Sequence, residues 1–405
     1  MRFVPENHVI LQGFIALSHA MMLRQCMTAE GKNTMGPFPH DAPRAEISQE
    51  NPAGTDGFEF VEFAHPEPAQ LHALFLRMGF TAVAKHRRLD TTLYRQGDVN
   101  YLVSATPDSH AARFAAAHGP SVPSMAFRVV DAAHAYAHAI AHGAKPVNPE
   151  SHGTLTLAVP AIEGIGGSLI YFVDKYSDSA AVYDPEFEWL GDRGARPNGA
   201  GLFFIDHLTH NVQRGRMDVW FDFYARIFNF RQIRFFDIEG RHTGLTSRAL
   251  TSPDGRIRIP LNESSDDQSQ IEEYLHAYKG EGIQHIACGA NDIFETVGGL
   301  RDAGLAFMPA PPDAYYAKTD DRLPGHGENL DRLREFGILI DGEVVAGSDH
   351  IGTLLQIFSA NVIGPVFFEF IQRKGNDGFG EGNFRALFES IEEDQIRRGV
   401  LRPAA

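Results

Sequence analysis

Apolar and polar positions along this chain recur in blocks that come twice. "GFEFVEFAHPEPAQLHALFLRMGF" (Gly57 to Phe80) is a short apolar run, a turn, and then apolar residues three and four apart. That pattern predicts a strand followed by an amphipathic helix. "GLFFIDHLTHNVQRGRMDVWFDFYARIFNF" (Gly201 to Phe230) repeats the order. A second pair, Ser124 to Ala144 and His285 to Leu305, reads as strand, aspartate, helix and a glycine-containing stop. A third pair, "GGSLIYFVD" (Gly166 to Asp174) and "GPVFFEFIQ" (Gly364 to Gln372), closes each half with a strand. Strand-helix units followed by consecutive strands, with Gly/Asp turns between, predict an α+β plan of mainly antiparallel sheets built twice.

Composition narrows the function classes. The 405 residues exceed what one core usually serves, so two domains or a duplicated one are expected. A net charge of −16 argues against a nucleic-acid partner, which would need a basic face to neutralise phosphates. Cys26 and Cys288 are the only cysteines, which rules out a disulfide framework and fits a reducing, cytoplasmic setting. "HVILQGFIALSHAMML" (His8 to Leu23) is moderately apolar but too short and too polar to span a membrane. Residues 1–54 read as an irregular arm with dispensable first residues, and Met35 is a candidate working start. Gly164, Gly166 and Gly167 do not form a dinucleotide fingerprint.

The repeat singles out candidate chemistry among 19 histidines. Aligned across halves, His207 falls opposite Phe63, His285 opposite Ser124 and Glu369 opposite Phe172. Each of the three lies on its own predicted strand. Alternation puts Phe203, Ile205 and His207 on one face, likewise Ile283, His285 and Ala287, and Phe367, Glu369 and Ile371. A carboxylate between "VFF" and "FI" is costly to bury without a cationic partner, and a metal ion would supply one. Two imidazoles and a carboxylate leave three octahedral positions open, as in non-haem Fe(II) oxygenases. The alternative is that both histidines are satisfied core residues and Glu369 pairs with an arginine such as Arg373. His210 has the wrong parity and is read as a turn or helix-cap residue, and Asp206 alternates to the opposite face as a structural residue.

"IDHLTHNV", "GEGIQHIAC", "GTLLQIFS", "FFEFIQRKG" and "GFGEGNFRALFESIEEDQIRRGVL" resemble the 4-hydroxyphenylpyruvate dioxygenase family of the vicinal oxygen chelate superfamily, from about Gly57 to Leu401. The resemblance implies duplicated βαβββ modules forming two open-barrel domains. The N-terminal one is metal-free, over 55–195, and the C-terminal one is catalytic, over 196–405. It also implies a lid helix near 383–400. His207, His285 and Glu369 would hold one Fe(II) per chain. The implied reaction converts 4-hydroxyphenylpyruvate and O2 to homogentisate and CO2, without 2-oxoglutarate, in tyrosine and phenylalanine catabolism. A homodimer or homotetramer is implied. Family rivals are 4-hydroxymandelate synthase, which is disfavoured by the large Phe358, and a metal-free binding protein.

The same resemblance implies further site positions. Asp254-Gly255 centres "SRALTSPDGRIRIPLN", and pairing outward from that hairpin sets Ser247 opposite Asn262. In the family both belong, with Gln270, to a polar network around substrate. Gln356 and Phe358 share a strand face and line the pocket. Gln284 is implied too, although alternation turns it away from His285. Phe379, Asn383 and Phe384 come from the last motif, where Asn383 is read as a helix N-cap and Phe358 with Phe384 as an aromatic pair about the substrate ring. His350 is read as a surface turn.

Overall fold

The computed structural model describes residues 43–177, 179–239, 244–345, 349–380, 382–383, 396 and 398–399. Met35, Phe384 and nearly all of the lid helix expected near 383–400 lie outside the described residues. Of the expected arm, 43–54 are described and run along the first sheet. Asn51 brackets Thr55 there, its amide nitrogen donating to the Thr55 carbonyl and its oxygen accepting from the Thr55 N–H.

Two eight-stranded sheets dominate. The first takes β1 (Thr55–Ala64), β2 (Thr81–His86), β3 (Thr91–Gln96), β4 (Val99–Ser104), β5 (Ser121–Val129), β6 (Ala161–Glu163) and β7 (Leu169–Val173). After a small hairpin of β8 (Tyr176–Ser177) and β9 (Ala180–Ala181), β10 (Phe187–Trp189) completes the order β10-β2-β3-β4-β1-β5-β7-β6. The second sheet takes β11 (Leu202–Val212), β12 (Arg231–Glu239), β13 (Gly244–Thr251), β14 (Arg258–Ser264), β15 (Gly282–Ala290), β16 (Leu339–Val344), β17 (Ile351–Phe358) and β18 (Phe367–Lys374). Its order is β12-β13-β14-β11-β15-β18-β17-β16. Apart from one added edge strand each, β10 and β16, the two orders match strand for strand. Each has the same two parallel pairs, β1/β4 and β5/β7 against β11/β14 and β15/β18, and the remaining pairs are antiparallel.

The expected helices follow the strands, and local chemistry explains their starts. Pro68 opens Pro68–Arg77, where its missing N–H costs nothing. Asp131 and Asp292, the repeated aspartates, accept N–H bonds at the starts of Ala132–Ala141 and Ile293–Asp302. The amphipathic faces of these helices and of Met217–Phe228 pack on one side of both sheets, in a single apolar cluster shared by the two halves.

The opposite, open side of each sheet differs between halves. In the first it is filled by a second apolar cluster that includes Phe60, Leu93, Leu102, Ala126 and Tyr171, closed by Tyr183 and Phe187 from the connector. Register identifies the true counterparts of the candidate ligands. Phe60 pairs with Ala126 as His207 pairs with Ala287, and Tyr171 pairs with Ala126 as Glu369 pairs with Ala287. The residues opposite His207 and Glu369 are therefore Phe60 and Tyr171, not Phe63 and Phe172, while Ser124 remains opposite His285. The Phe60 and Tyr171 rings pack with centroids 5.7 Å apart where the second half sets an imidazole against a carboxylate. The slips in β1 and β11 fall at equivalent positions, so the two strands correspond at a constant spacing, from Thr55 with Leu202 to Ala64 with Asn211, and the sequence alignment was offset from it by three residues.

Candidate metal centre

Strands β11, β15 and β18 lie side by side at the middle of the second sheet, and one row runs His207–Ala287–Glu369 across them. Ala287 is the small residue of that row, so the two larger side chains meet over its methyl group. His285 lies two residues along β15, opposite Phe367. The Nε2 atoms of His207 and His285 stand 3.1 and 3.4 Å from Oε2 of Glu369. One ligand atom from each residue falls within 4.8 Å of the others, and all three residues are buried. Donors about 2.1 Å from a shared ion in adjacent coordination positions sit about 3 Å apart, so the spacing fits a single cation.

The outer nitrogens fix the imidazoles. Nδ1 of His207 lies 2.9 Å from Oδ1 of Asp206, and Nδ1 of His285 lies 3.0 Å from Oε1 of Gln284. Both partners accept, so Nδ1 carries the hydrogen in each ring and Nε2 presents its lone pair inward. Asp206 is anchored in turn by Arg373, whose Nε and Nη2 donate at 2.7 and 2.8 Å. Burial works against this carboxylate, but the guanidinium outweighs it and holds Asp206 well below the usual range. Burial likewise opposes the Glu369 charge, yet His207 and His285 bring its pKa down to about 2. Glu369 thus faces the imidazoles, and the Arg373 pairing considered from sequence goes to Asp206 instead.

Two register slips explain where alternation failed. Pairing between β11 and β15 shifts between Ile205 and His207, as at a β-bulge with Asp206 the extra residue. Ile205 and Leu208 both join the apolar core, while the Asp206 and His207 side chains meet. Ile205 therefore does not share His207's face, and Asp206 is not turned away from it. A second slip, between His285 and Ile283, brings Gln284 beside His285 and leaves Ile283 in the core. The third expected face holds, since Phe367 and Glu369 stand with the site while Phe368 and Phe370 enter the core. His210 is neither turn nor cap: it is buried within β11, two residues from the strand's end, its Nε2 2.7 Å from the Tyr224 hydroxyl.

The remaining candidates divide by their contacts. Ser247 is in register with Asn262, as the hairpin required, and Asn262 with Asn211 on β11. Ser247 Oγ, Asn262 Oδ1, Thr209 Oγ1 and both amide atoms of Asn211 are buried without a hydrogen bond among the described residues, which suits a polar ligand. Gln270 opens the helix Gln270–Tyr278, half-buried and with no hydrogen bond to these groups. Gln356 donates to Glu369 Oε1 at 3.3 Å and accepts from Asn383 at 3.1 Å. Asn383 itself sits in a helical turn with Gly382 rather than ahead of one, and it accepts from the Tyr315 hydroxyl at 2.5 Å. Phe358 and Phe367 flank His285, with ring centroids 6.4 and 4.8 Å away, and Phe379 lies 5.5 Å from His207. His350 is exposed, as expected of a surface turn.

Sequence reasoning missed Tyr315, Arg322, Arg258 and the supporting role of Asp206 and Arg373. Arg322 donates to the Tyr315 hydroxyl at 3.0 Å, tying the network to the segment before β16. Arg258 stacks over Phe379 at 5.6 Å, and burial, then Arg373, lowers its pKa to about 10. Only Asp206 carried a signal, its adjacency to His207. The others depend on contacts across more than a hundred residues or on irregular segments.

Residues 49–188 match the family model described as hydroxyphenylpyruvate dioxygenase, N-terminal. Residues 204–330 match that of the glyoxalase/bleomycin resistance protein/dioxygenase superfamily. The chain is 58% identical over 361 residues to a 4-hydroxyphenylpyruvate dioxygenase of Pseudomonas aeruginosa, covering 88% of this chain and 99% of that protein. It is 58% identical over 359 residues to hemolysin VllY of Vibrio vulnificus, covering 87% and 99%. Among solved structures, a mutant 4-hydroxymandelate synthase from Streptomyces coelicolor superposes with a TM-score of 0.71 at 25% identity, covering 84% of this chain and 99% of that one. With near-complete mutual coverage and 58% identity, this chain belongs to the 4-hydroxyphenylpyruvate dioxygenase family.

Proposed function

We propose that this protein is an Fe(II)-dependent dioxygenase that converts 4-hydroxyphenylpyruvate and O2 to homogentisate and CO2, in tyrosine and phenylalanine catabolism. The convergence of His207, His285 and Glu369 on one buried point carries the reading. These three would hold one Fe(II) per chain. When bound, the iron supplies the redox chemistry by which O2 is activated and the keto acid loses CO2. The substrate brings its own α-keto acid, so 2-oxoglutarate has no part.

Everything else falls to the chain. Asp206 and Gln284 hold the ligand imidazoles in their Nε2-presenting tautomer. Gln356 steadies Glu369 and, with Gln284, Ser247, Asn262 and Gln270, offers polar contacts to the substrate. Phe358 and Phe379 supply apolar walls that orient the ring and exclude water. A two-domain division near residue 195, a cytoplasmic setting and a homodimer or homotetramer complete the proposal.

The 4-hydroxymandelate synthase reading has less support, at 25% identity against 58%, and Phe358 keeps the large ring beside His285. Product analysis of purified, iron-loaded protein separates the two. Homogentisate with equimolar CO2 supports the dioxygenase, and 4-hydroxymandelate as main product overturns it. A metal-free binder would turn over neither.

A further inference from the structure

Among the described residues, the first half has no group of side chains placed to hold a metal ion, yet its open side is not wholly filled. The apolar cluster there takes Leu93, Leu102 and Ala126. Two residues along the same strands, alternation sets Arg95, Asn100 and Arg128 on the same face. With Glu59, these line a recess walled by Tyr176 and Trp189 and rimmed by Arg193 and Arg196. This is where the open face runs on past its apolar filling.

Cationic side chains dominate the lining of the recess. Four guanidinium groups line it. Among the described residues, Glu59 and Asp98 reach Arg128, Asp98 also reaches Arg196, and Asp184 reaches Arg193. Arg95 stands apart. It is 6% exposed and stacks 5.5 Å over the Trp189 ring. Its hydrogen bonds among the described residues run to neutral oxygens, the Asn100 carboxamide at 2.8 Å and the carbonyls of Arg193 and Ala195 at 3.2 and 3.5 Å. A buried cation is costly without an anionic partner, and here the cation faces an open recess in a chain that is otherwise strongly acidic. The faces of Trp189 and Tyr176 are already covered by Arg95, and by Arg128 and Arg44. An occupant would therefore engage guanidinium N–H groups, which favour the paired oxygens of a carboxylate or phosphate.

We propose that this recess is a second ligand site, for a small oxyanion, built on the open face that the second half uses for its metal. It is independent of the catalytic reading, since none of its residues belongs to the metal centre. Trp189 reports on it directly, and Trp220 is the only other tryptophan. In a Trp220→Phe background, inorganic phosphate and benzoate are titrated separately into the full-length protein, with ionic strength held constant by chloride. The expected result is a saturable change in Trp189 fluorescence with at least one probe, weakened tenfold or more by Arg95→Met, while turnover stays within twofold. Saturation by phosphate alone assigns a phosphate source, and by benzoate alone an aromatic carboxylate. Should Arg95→Met fail to fold, Arg193→Gln on the rim is expected to weaken the same signal at least threefold. Linear, unsaturating responses to both probes, or equal affinity in the arginine variants, would overturn the proposal.

Discussion

The metal centre depends on residues that never touch the metal position. Asp206 is the chief case, since it orients His207 and neutralises the buried Arg373. Asp206→Asn keeps the shape but leaves Arg373 buried without its counter-charge. It should cost about 3–5 kcal/mol of stability and weaken metal affinity about 10- to 100-fold. Urea unfolding and anaerobic Fe(II) titration measure both, and unchanged affinity would remove Asp206 from the site. His210 shows the opposite use of a buried imidazole. Burial brings its pKa down to about 3. Between that value and the unfolded value near 6.5, the unfolded chain binds a proton that the folded chain does not, so stability falls as pH falls through this range. The register counterpart of His210 in the first half is Phe63. His210→Phe should cost about 1–3 kcal/mol at pH 8, where the Tyr224 hydroxyl loses its partner. The deficit should shrink by about 2 kcal/mol at pH 5. A deficit equal at both pH values would contradict this.

At the scale of strands, the sequence pattern foretold the three paired blocks and their order, because period and turn chemistry are local. The Asp254-Gly255 hairpin set the Ser247–Asn262 register without any long-range information. What the pattern did not show were the slips beside Asp206 and Gln284. A bulge adds one residue without changing the apolar count, so both residues looked turned away from the site. The apparent counterparts of His207 and Glu369 were off by three positions and by one for another reason: apolar runs of similar composition align almost equally well at neighbouring offsets. Phe367 shared a face with Glu369 in the sequence reading, but nothing local said that its ring would stack on His285. The row His207–Ala287–Glu369 also makes a prediction that belongs to the sheet. Ala287 is fully buried between the two ligands, so Ala287→Val should push them apart. Overpacking there should cost about 1–3 kcal/mol and at least tenfold in iron affinity. Iron titration checks this, and retention at wild-type affinity would show that the row is not the spacing device.

The whole molecule is two copies of one sheet plan whose open faces have diverged in chemistry. On the helix side they remain fused. Phe368 of the second half packs against Phe63, Phe75 and Tyr101 of the first, and the Tyr101 hydroxyl lies 3.0 Å from Cys288 Sγ. Gly166, at φ 59°, abuts the Glu281 carbonyl so closely that a β-carbon would lie 2.0 Å from its oxygen. Such a shared core predicts one cooperative calorimetric transition, with Phe368→Ala lowering it as a unit by about 3–5 kcal/mol. Two separated transitions would contradict a common core. On the open side the halves parted: the first packed Phe60 against Tyr171, while the second kept imidazoles and a carboxylate at the same places. Iron content reads out that divergence. Protein loaded anaerobically with Fe(II) and desalted should hold one iron per chain and form homogentisate from 4-hydroxyphenylpyruvate when O2 is admitted. Glu369→Ala should keep the fold by circular dichroism yet retain under a tenth of the iron and make no product. Full iron content and turnover in Glu369→Ala would remove the metal centre from these three residues.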